Sequence, residues 1–351
     1  MRTIRVETSK PYSVIIGSQL ISQLGKYVSE IYRCTTVAII SDSNVWPLYG
    51  ELARQSLQQA GYQTVHYCFP AGEESKNANT FFSILNFLAE NKLTRSDLII
   101  ALGGGVVGDI SGFAAATYLR GIPYVQVPTS LLAMVDSSVG GKTAIDLPSG
   151  KNLAGAFYQP SLVLCDIDAL QTLPAPIFID GCAEVIKYGV LYDAHLFAHL
   201  LNHGTNFDRE MVISRCVELK RNVVVTDEFD NGARQKLNLG HTIGHGVEAQ
   251  SNYVISHGQA VAIGMCIVGK AAAAKGICTE SVYRQIHEII KLFSLPTKTC
   301  YSAEHLYTSA LSDKKRSGGI VNLILPREIG DCIISPTPVS EMLSFIEAGL
   351  S

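Results

Sequence analysis

The segment Leu237-Asn238-Leu239-Gly240-His241-Thr242-Ile243-Gly244-His245 sets two imidazoles four residues apart. On a helix that spacing puts both on one face. A third histidine follows at His257, and a carboxylate lies upstream at Glu184 in Ala183-Glu184-Val185-Ile186-Lys187. Three N/O donors with one open position suit a catalytic Zn²⁺. From spacing alone both His241 and His245 are candidate ligands, with a hydrogen-bonded pair of core histidines as the plain alternative; Asn238 and Glu248 share the neighbourhood. A second histidine stripe, His195, His199 and His203, also has helical spacing. Leu196, Phe197, Leu200 and Leu201 make that segment an ordinary amphipathic helix with histidines on its flank, so it is discounted as a metal site.

Two glycine-rich stretches point to phosphate chemistry. Gly103-Gly104-Gly105-Val106-Val107-Gly108-Asp109 has G-x-G-x-x-G spacing after an apolar run and before a helical pattern. Such glycines let backbone N–H groups approach a pyrophosphate at a helix N-terminus. The match lies on the third alternating strand, not the first as the usual fingerprint would, and a plain tight turn is the competing reading. Asp42, at the end of an earlier strand, suits ribose hydroxyls or a turn cap. Lys76 follows the next strand. Gly140-Gly141-Lys142-Thr143 resembles the end of a Walker A motif, but Asp136 stands where its first glycine belongs, so triphosphate hydrolysis fits poorly. Lys142, Lys151 and Asn152 near glycines still suit one small phosphate group, or else a solvated polar loop.

The elements that must position these groups divide in two. Apolar runs at Val37–Ser41, Thr64–Phe69, Asp97–Leu102 and Tyr124–Val127 alternate with helical patterns near 48–60 and 78–91. This predicts parallel strands with helical crossovers. Residues 2–16 read as two short strands. After about Thr172 helical patterns dominate, as in Cys182–Leu191 and Ala260–Lys275, with one late strand, Ile320–Leu325, stopped by Pro326. The expectation is an α/β N-terminal domain with a Rossmann-like parallel sheet over 1–171, then a mostly α-helical C-terminal domain over 172–351. The length of 351 residues suits two cores, and 47% apolar with 17% charged residues indicates a soluble globular protein. A net charge of −3 argues against general nucleic-acid binding. No apolar run approaches a membrane span, and the N-terminus reads as a strand without a signal-peptide apolar region. The nine scattered cysteines, with no Cys-x-x-Cys pair, are expected to be reduced thiols of a cytoplasmic protein.

Together these stretches resemble the 3-dehydroquinate synthase family of sugar phosphate cyclases. The resemblance runs through Gly103–Asp109, Arg120 with Pro128-Thr129-Ser130, Asp136–Lys142, Lys151–Phe157, Glu184–Lys187, Lys220, Arg234–His245, His257 and Asp313-Lys314-Lys315. It implies a lyase of the shikimate pathway that converts 3-deoxy-D-arabino-heptulosonate 7-phosphate to 3-dehydroquinate and phosphate through transient oxidation by NAD. It implies Glu184, His241 and His257 as ligands of one divalent metal, Zn²⁺ or alternatively Co²⁺, with His245 transferring protons. Lys142, Asn152 and one of Lys314 and Lys315 would hold the phosphate; Lys220, Arg234 and Asn238 the carboxylate and hydroxyl end; Asp136 and Lys187 hydroxyls. Asp42, Asn44, Glu73, Lys76, Gly104, Gly105, Val106, Asp109, Thr129, Ser130, Lys142, Lys151 and Thr172 would surround NAD. The resemblance also implies a homodimer in which Arg120 reaches the neighbouring subunit's phosphate site. Asp230 departs from the family's usual Glu and is left without a role. Competing readings are another sugar phosphate cyclase, disfavoured by Arg234 and Asn238, and a metal-dependent polyol dehydrogenase, for which Lys142, Lys220, Arg234, Lys314 and Lys315 carry too much positive charge.

Overall fold

The computed structural model describes residues 1–311 and 319–351. The chain forms two compact units: residues 1–174 with 209–229, and residues 175–208 with 230–351.

The first unit is built on a seven-stranded sheet in the order β1-β2-β9-β6-β5-β3-β4. Its strands are β1 (Arg2–Val6), β2 (Tyr12–Gly17), β3 (Thr36–Asp42), β4 (Gln63–Phe69), β5 (Leu98–Gly103), β6 (Tyr124–Pro128) and β9 (Leu162–Asp166). Only β1 pairs antiparallel; from β2 to β4 all neighbours are parallel. Strands β3, β5, β6 and β9 are almost wholly buried, which explains their continuous apolar runs. The helices α1 (Leu24–Ile31), α2 (Glu51–Gln59), α3 (Ala78–Glu90) and α4 (Gly105–Thr117) connect or cover them. Ala38, Ile40, Ile99 and Ala101 of the sheet pack with Phe81, Ile84 and Leu88 of α3 and Ile110 and Ala114 of α4. The stretch expected as a lysine loop is instead an antiparallel hairpin, β7 (Lys142–Leu147) and β8 (Gly150–Phe157). A strand after Gly141 excludes a P-loop, which requires a helix there.

The second unit opens with α5 (Ala175–Tyr192) and α6 (Ala194–His203). Helix α7 (Arg209–Thr226) belongs to the first unit. The second unit resumes with α8 (His241–Gln250), α9 (His257–Ala274), α10 (Glu280–Leu292) and α11 (Ala303–Leu311). A two-stranded ribbon, β10 (Ile320–Glu328) and β11 (Asp331–Pro338), precedes α12 (Val339–Leu350). Pro326 does not stop the late strand: it pairs opposite Cys332, and the register shifts only between Pro326 and Glu328. A two-stranded ribbon has outer edges that need no ladder donor from proline. Helix α9 is buried along most of its length, hence its run of apolar residues and glycines from Ala260 to Gly269. Among the described residues no helix is long and apolar enough to cross a membrane.

Candidate functional site

In the second unit, Glu184 lies mid-way along α5, His241 begins α8 and His257 begins α9. Glycines allow the close approach of α8 and α9. Gly240 caps α8 in the left-handed region (φ 77°), and a Cβ there would meet Val261 O at 2.7 Å; one on Gly244 would meet Ala260 O at 2.9 Å. This is the physical reason a glycine precedes each histidine of the motif. Asp180, one turn before Glu184 on α5, accepts hydrogen bonds from Ser256 Oγ (2.5 Å) and Gln259 N (3.0 Å), tying the start of α9 to α5.

The three donors converge on Glu184 Oε1. His241 Nε2 lies 3.5 Å from it and His257 Nε2 3.4 Å, with all donor atoms within 4.8 Å. Ligands bound tetrahedrally at about 2.0–2.1 Å lie about 3.4 Å from one another. The set therefore fits a divalent ion. The Glu184 side chain is fully buried and contacts the Lys187 ammonium, itself 2% exposed. Burial, with Lys187, pushes the His241 imidazole down to about 3, so it keeps its lone pair at neutral pH. Burial also acts against charge on His257, but Glu184 and Glu248 outweigh it and lift that imidazole to about 10. His245 is exposed on the next turn of α8, its ring 5.5 Å from that of His241. It belongs to a second donor group with Glu248 and His257. His195, His199 and His203 form no such group among the described residues; His199 and His203 merely stack at 4.1 Å. Arg234 is buried (3% exposed) and Asn238 exposed, both on the short helical segment Ala233–Asn238.

In the first unit, residues considered for the nucleotide gather at carboxyl ends of parallel strands. Asp42 and Asn44 follow β3, Glu73 and Lys76 follow β4, Gly104 to Asp109 follow β5, Thr129 and Ser130 follow β6, and Thr172 follows β9. Strand β3 is flanked by β4 on one side and β5 on the other, so strand order reverses there, where open α/β sheets bind ligands. Gly103 and Gly108 provide close helix–strand packing: a Cβ on Gly108 would meet Gln126 Oε1 at 2.7 Å. Asp42 is a turn cap, its Oδ1 accepting from Asn44 N and Val45 N at 2.9 Å each. Thr172 Oγ1 lies 2.5 Å from the Tyr49 hydroxyl.

An ionic knot around the buried Lys76 ties these loops to the hairpin. Lys76 Nζ donates to Asp109 Oδ2 and to Asn152 Oδ1, each at 2.6 Å. Glu73 Oε1 stands 4.0 Å from Lys76 Nζ and 3.8 Å from Lys151 Nζ. Burial opposes the Lys76 charge, yet Asp109 and Glu73 hold the ammonium above its ordinary value. Burial lifts the Asp109 carboxyl, with Lys76 pulling the other way. Asn152 adopts a left-handed backbone (φ 57°), and Asp146 Oδ1 accepts from its N–H at 2.8 Å. Asp146 was not singled out from sequence; its place at a Gly150 turn is the only local signal. Lys142 pairs opposite Phe157, five residues from Asn152 along β8, or about 16 Å of strand. Lys220 on α7 donates to Asp136 Oδ1 and Asp136 O, both at 2.6 Å. Arg120 is exposed, with a left-handed backbone (φ 68°). Asp230 is also left-handed (φ 60°). Asp313, Lys314 and Lys315 lie outside the described residues.

Profiles described as "3-dehydroquinate synthase N-terminal" and "3-dehydroquinate synthase C-terminal" match residues 66–180 and 181–316. The 3-dehydroquinate synthase of Clostridium acetobutylicum is 44% identical over 353 residues, covering 99% of each chain. That of Streptococcus suis is 43% identical, covering 96% of this chain and 97% of the relative. A solved 2-epi-5-epi-valiolone synthase from Streptomyces hygroscopicus, with NAD⁺ and Zn²⁺ bound, is 27% identical with a TM-score of 0.89, covering 100% of this chain and 98% of that one.

Proposed function

The chain belongs to the 3-dehydroquinate synthase family, and from that premise we propose how its residues divide the work. It is an enzyme of this type, a cyclase that releases phosphate from 3-deoxy-D-arabino-heptulosonate 7-phosphate and forms 3-dehydroquinate. The observation that carries the reading is the Glu184, His241 and His257 set, with donor separations of 3.4 and 3.5 Å. Two imidazoles, His257 having shed one proton, and one carboxylate suit Zn²⁺, with Co²⁺ as substitute. The related valiolone synthase that binds NAD⁺ and Zn²⁺ supports the same pair here.

Held by Glu184, His241 and His257, a divalent ion would supply Lewis-acid polarisation of a substrate alcohol, and NAD would supply reversible hydride transfer without being consumed. His245 takes the proton of that alcohol and gives it back. Lys187 offsets the buried Glu184 charge and contacts a hydroxyl. Arg234, Asn238 and Lys220 bind the carboxylate and hydroxyl end, and Asp136 orients a hydroxyl. Lys142 and Asn152, with Lys314 or Lys315, hold the phosphate. Gly104, Gly105 and Val106 offer backbone to the NAD pyrophosphate, and Asp42, Asn44, Glu73, Lys76, Asp109, Thr129, Ser130, Lys151 and Thr172 line its remaining length. The first unit, residues 1–174 with 209–229, carries NAD, and the second the metal. The working assembly is a cytoplasmic homodimer.

Substrate choice tests the assignment. Arg234 offers a planar fork to a carboxylate. Charged hydrogen bonds of about 1.5–3 kcal/mol correspond to about 10–100-fold. Arg234→Met should therefore lower kcat/KM for the heptulosonate phosphate by that factor or more. An unsubstituted protein that turns over sedoheptulose 7-phosphate in preference would assign it to a different cyclase.

A further inference from the structure

Glu248 stands outside the donor set just described. It lies on α8, 4% exposed, and its Oε2 faces Nδ1 of His257 at 3.5 Å. The other nitrogen of that ring, Nε2, faces Glu184 Oε1 at 3.4 Å. The imidazole thus lies between two buried carboxylates carried by different helices, α5 and α8. A neutral imidazole has one ring proton. If Nε2 gives its lone pair to an ion, the proton sits on Nδ1, and an acceptor there selects both tautomer and ring orientation. The acceptor is itself anchored: Glu248 belongs to the helix that His241 begins.

We propose that Glu248 is a positioning residue of the metal centre, accepting Nδ1–H from His257 and so aiming Nε2 at the site shared with Glu184 and His241. This rests on the reading that those three residues hold the ion. A rival use of the same atoms exists, because His245, Glu248 and His257 also bring one donor each within 4.8 Å. An ion there would take Nδ1. Two ions at once would require the His257 ring to lose both protons, whereas an accepting Glu248 leaves the Nδ1 proton in place and only Nε2 gives one up.

The test is Co²⁺ affinity of the metal-stripped full-length chain, measured by chelator competition and read from visible absorption of bound Co²⁺. The unsubstituted chain should bind one ion, lost in His257→Ala; failure at that step overturns the donor set and leaves Glu248 unassigned with it. Glu248→Leu removes the acceptor at nearly constant volume. It should weaken Co²⁺ binding 10–100-fold, with NAD binding and circular dichroism retained. Glu248→Gln, whose amide oxygen still accepts from Nδ1–H, should recover most of that loss. Should Glu248→Leu not fold, Glu248→Ala replaces it with the same thresholds. Affinity within twofold of the unsubstituted chain in the Leu variant would overturn the proposal. So would a Gln variant as weak as Leu, or two ions per chain of which Glu248→Leu removes one.

Discussion

Gly258 is the residue after His257, and a methyl group there tests whether helix packing sets the metal geometry. A Cβ on Gly258 would meet the Asp180 carbonyl carbon and Oδ1 at 2.7 Å each, and the Asp180 carbonyl oxygen closer still. Since real Cβ contacts do not fall below 3.0 Å, the two backbones must part by at least about 0.3 Å. Metal sites tolerate deviations of about 0.2 Å in their bond lengths. The displacement falls between His257 and the turn preceding Glu184, so the donors cannot all keep their places. Gly258→Ala should lower Co²⁺ or Zn²⁺ affinity about tenfold or more, and overpacking should cost about 1–3 kcal/mol of stability. Gly269→Ala is the control on the same helix, α9. Its Cβ would find only Ile286 Cδ1 and Tyr283 Cδ2, both at 3.6 Å. Replacing a mid-helix glycine where the new methyl makes only ordinary contacts should gain about 0.5–1 kcal/mol. Chelator competition and denaturant titration read both variants. Gly258→Ala with metal affinity within twofold of the parent and undiminished stability would refute the reasoning.

Four further outcomes are expected. Lys76→Met leaves the half-buried Asp109 without its cation and should cost up to about 3 kcal/mol in denaturant titration at pH 8. Burial already lifts the Asp109 carboxyl; without Lys76 it rises further, so protonation should shrink the cost by pH 5, and an equal cost at both pH values would contradict the pair's role. Stripping the metal should lower the thermal midpoint, by an amount equivalent to about 2.7 kcal/mol where free ion had stood at 100 times its Kd. His257, lifted to about 10, must shed one proton to ligate while His241 at about 3 sheds none, so affinity should rise by up to about tenfold per pH unit from 6 to 9; a flat profile would exclude His257. For the homodimer, mixing differently tagged Arg120→Ala and Lys142→Ala chains should restore activity, since mixed dimers hold one site with both lesions and one with neither; verified heterodimers without activity would argue against a shared site.

Much of the first unit was legible because β3, β4, β5 and β6 carry apolar runs ended by turn residues. The β7–β8 hairpin was not, since its Gly, Lys and Asn residues carry no apolar period and its register depends on non-local pairing. Strand β11 escaped notice because Pro336 and Pro338 argue against a ladder, which an unflanked ribbon tolerates. The return of 209–229 to the first unit has no local signature: α7 reads like any helix, and only its packing places it. In the metal centre, the His241 and His245 spacing was plain but the choice between them was not. It depends on α5 and α9 bringing Glu184 and His257 to one side of His241, through the contacts at Gly240, Gly244 and Gly258. The carboxylate behind His257 was equally hidden, because helix spacing says nothing of which ring nitrogen Glu248 faces.

The most direct test of the assigned activity is a turnover experiment. The metal-loaded protein is mixed with 3-deoxy-D-arabino-heptulosonate 7-phosphate and NAD well below the substrate concentration, and phosphate, 3-dehydroquinate and NADH are followed together. The expected result is phosphate and 3-dehydroquinate in equal amounts, many per NAD, with no net accumulation of NADH. NADH growing in step with substrate consumed, without phosphate release, would contradict the assignment and identify a dehydrogenase.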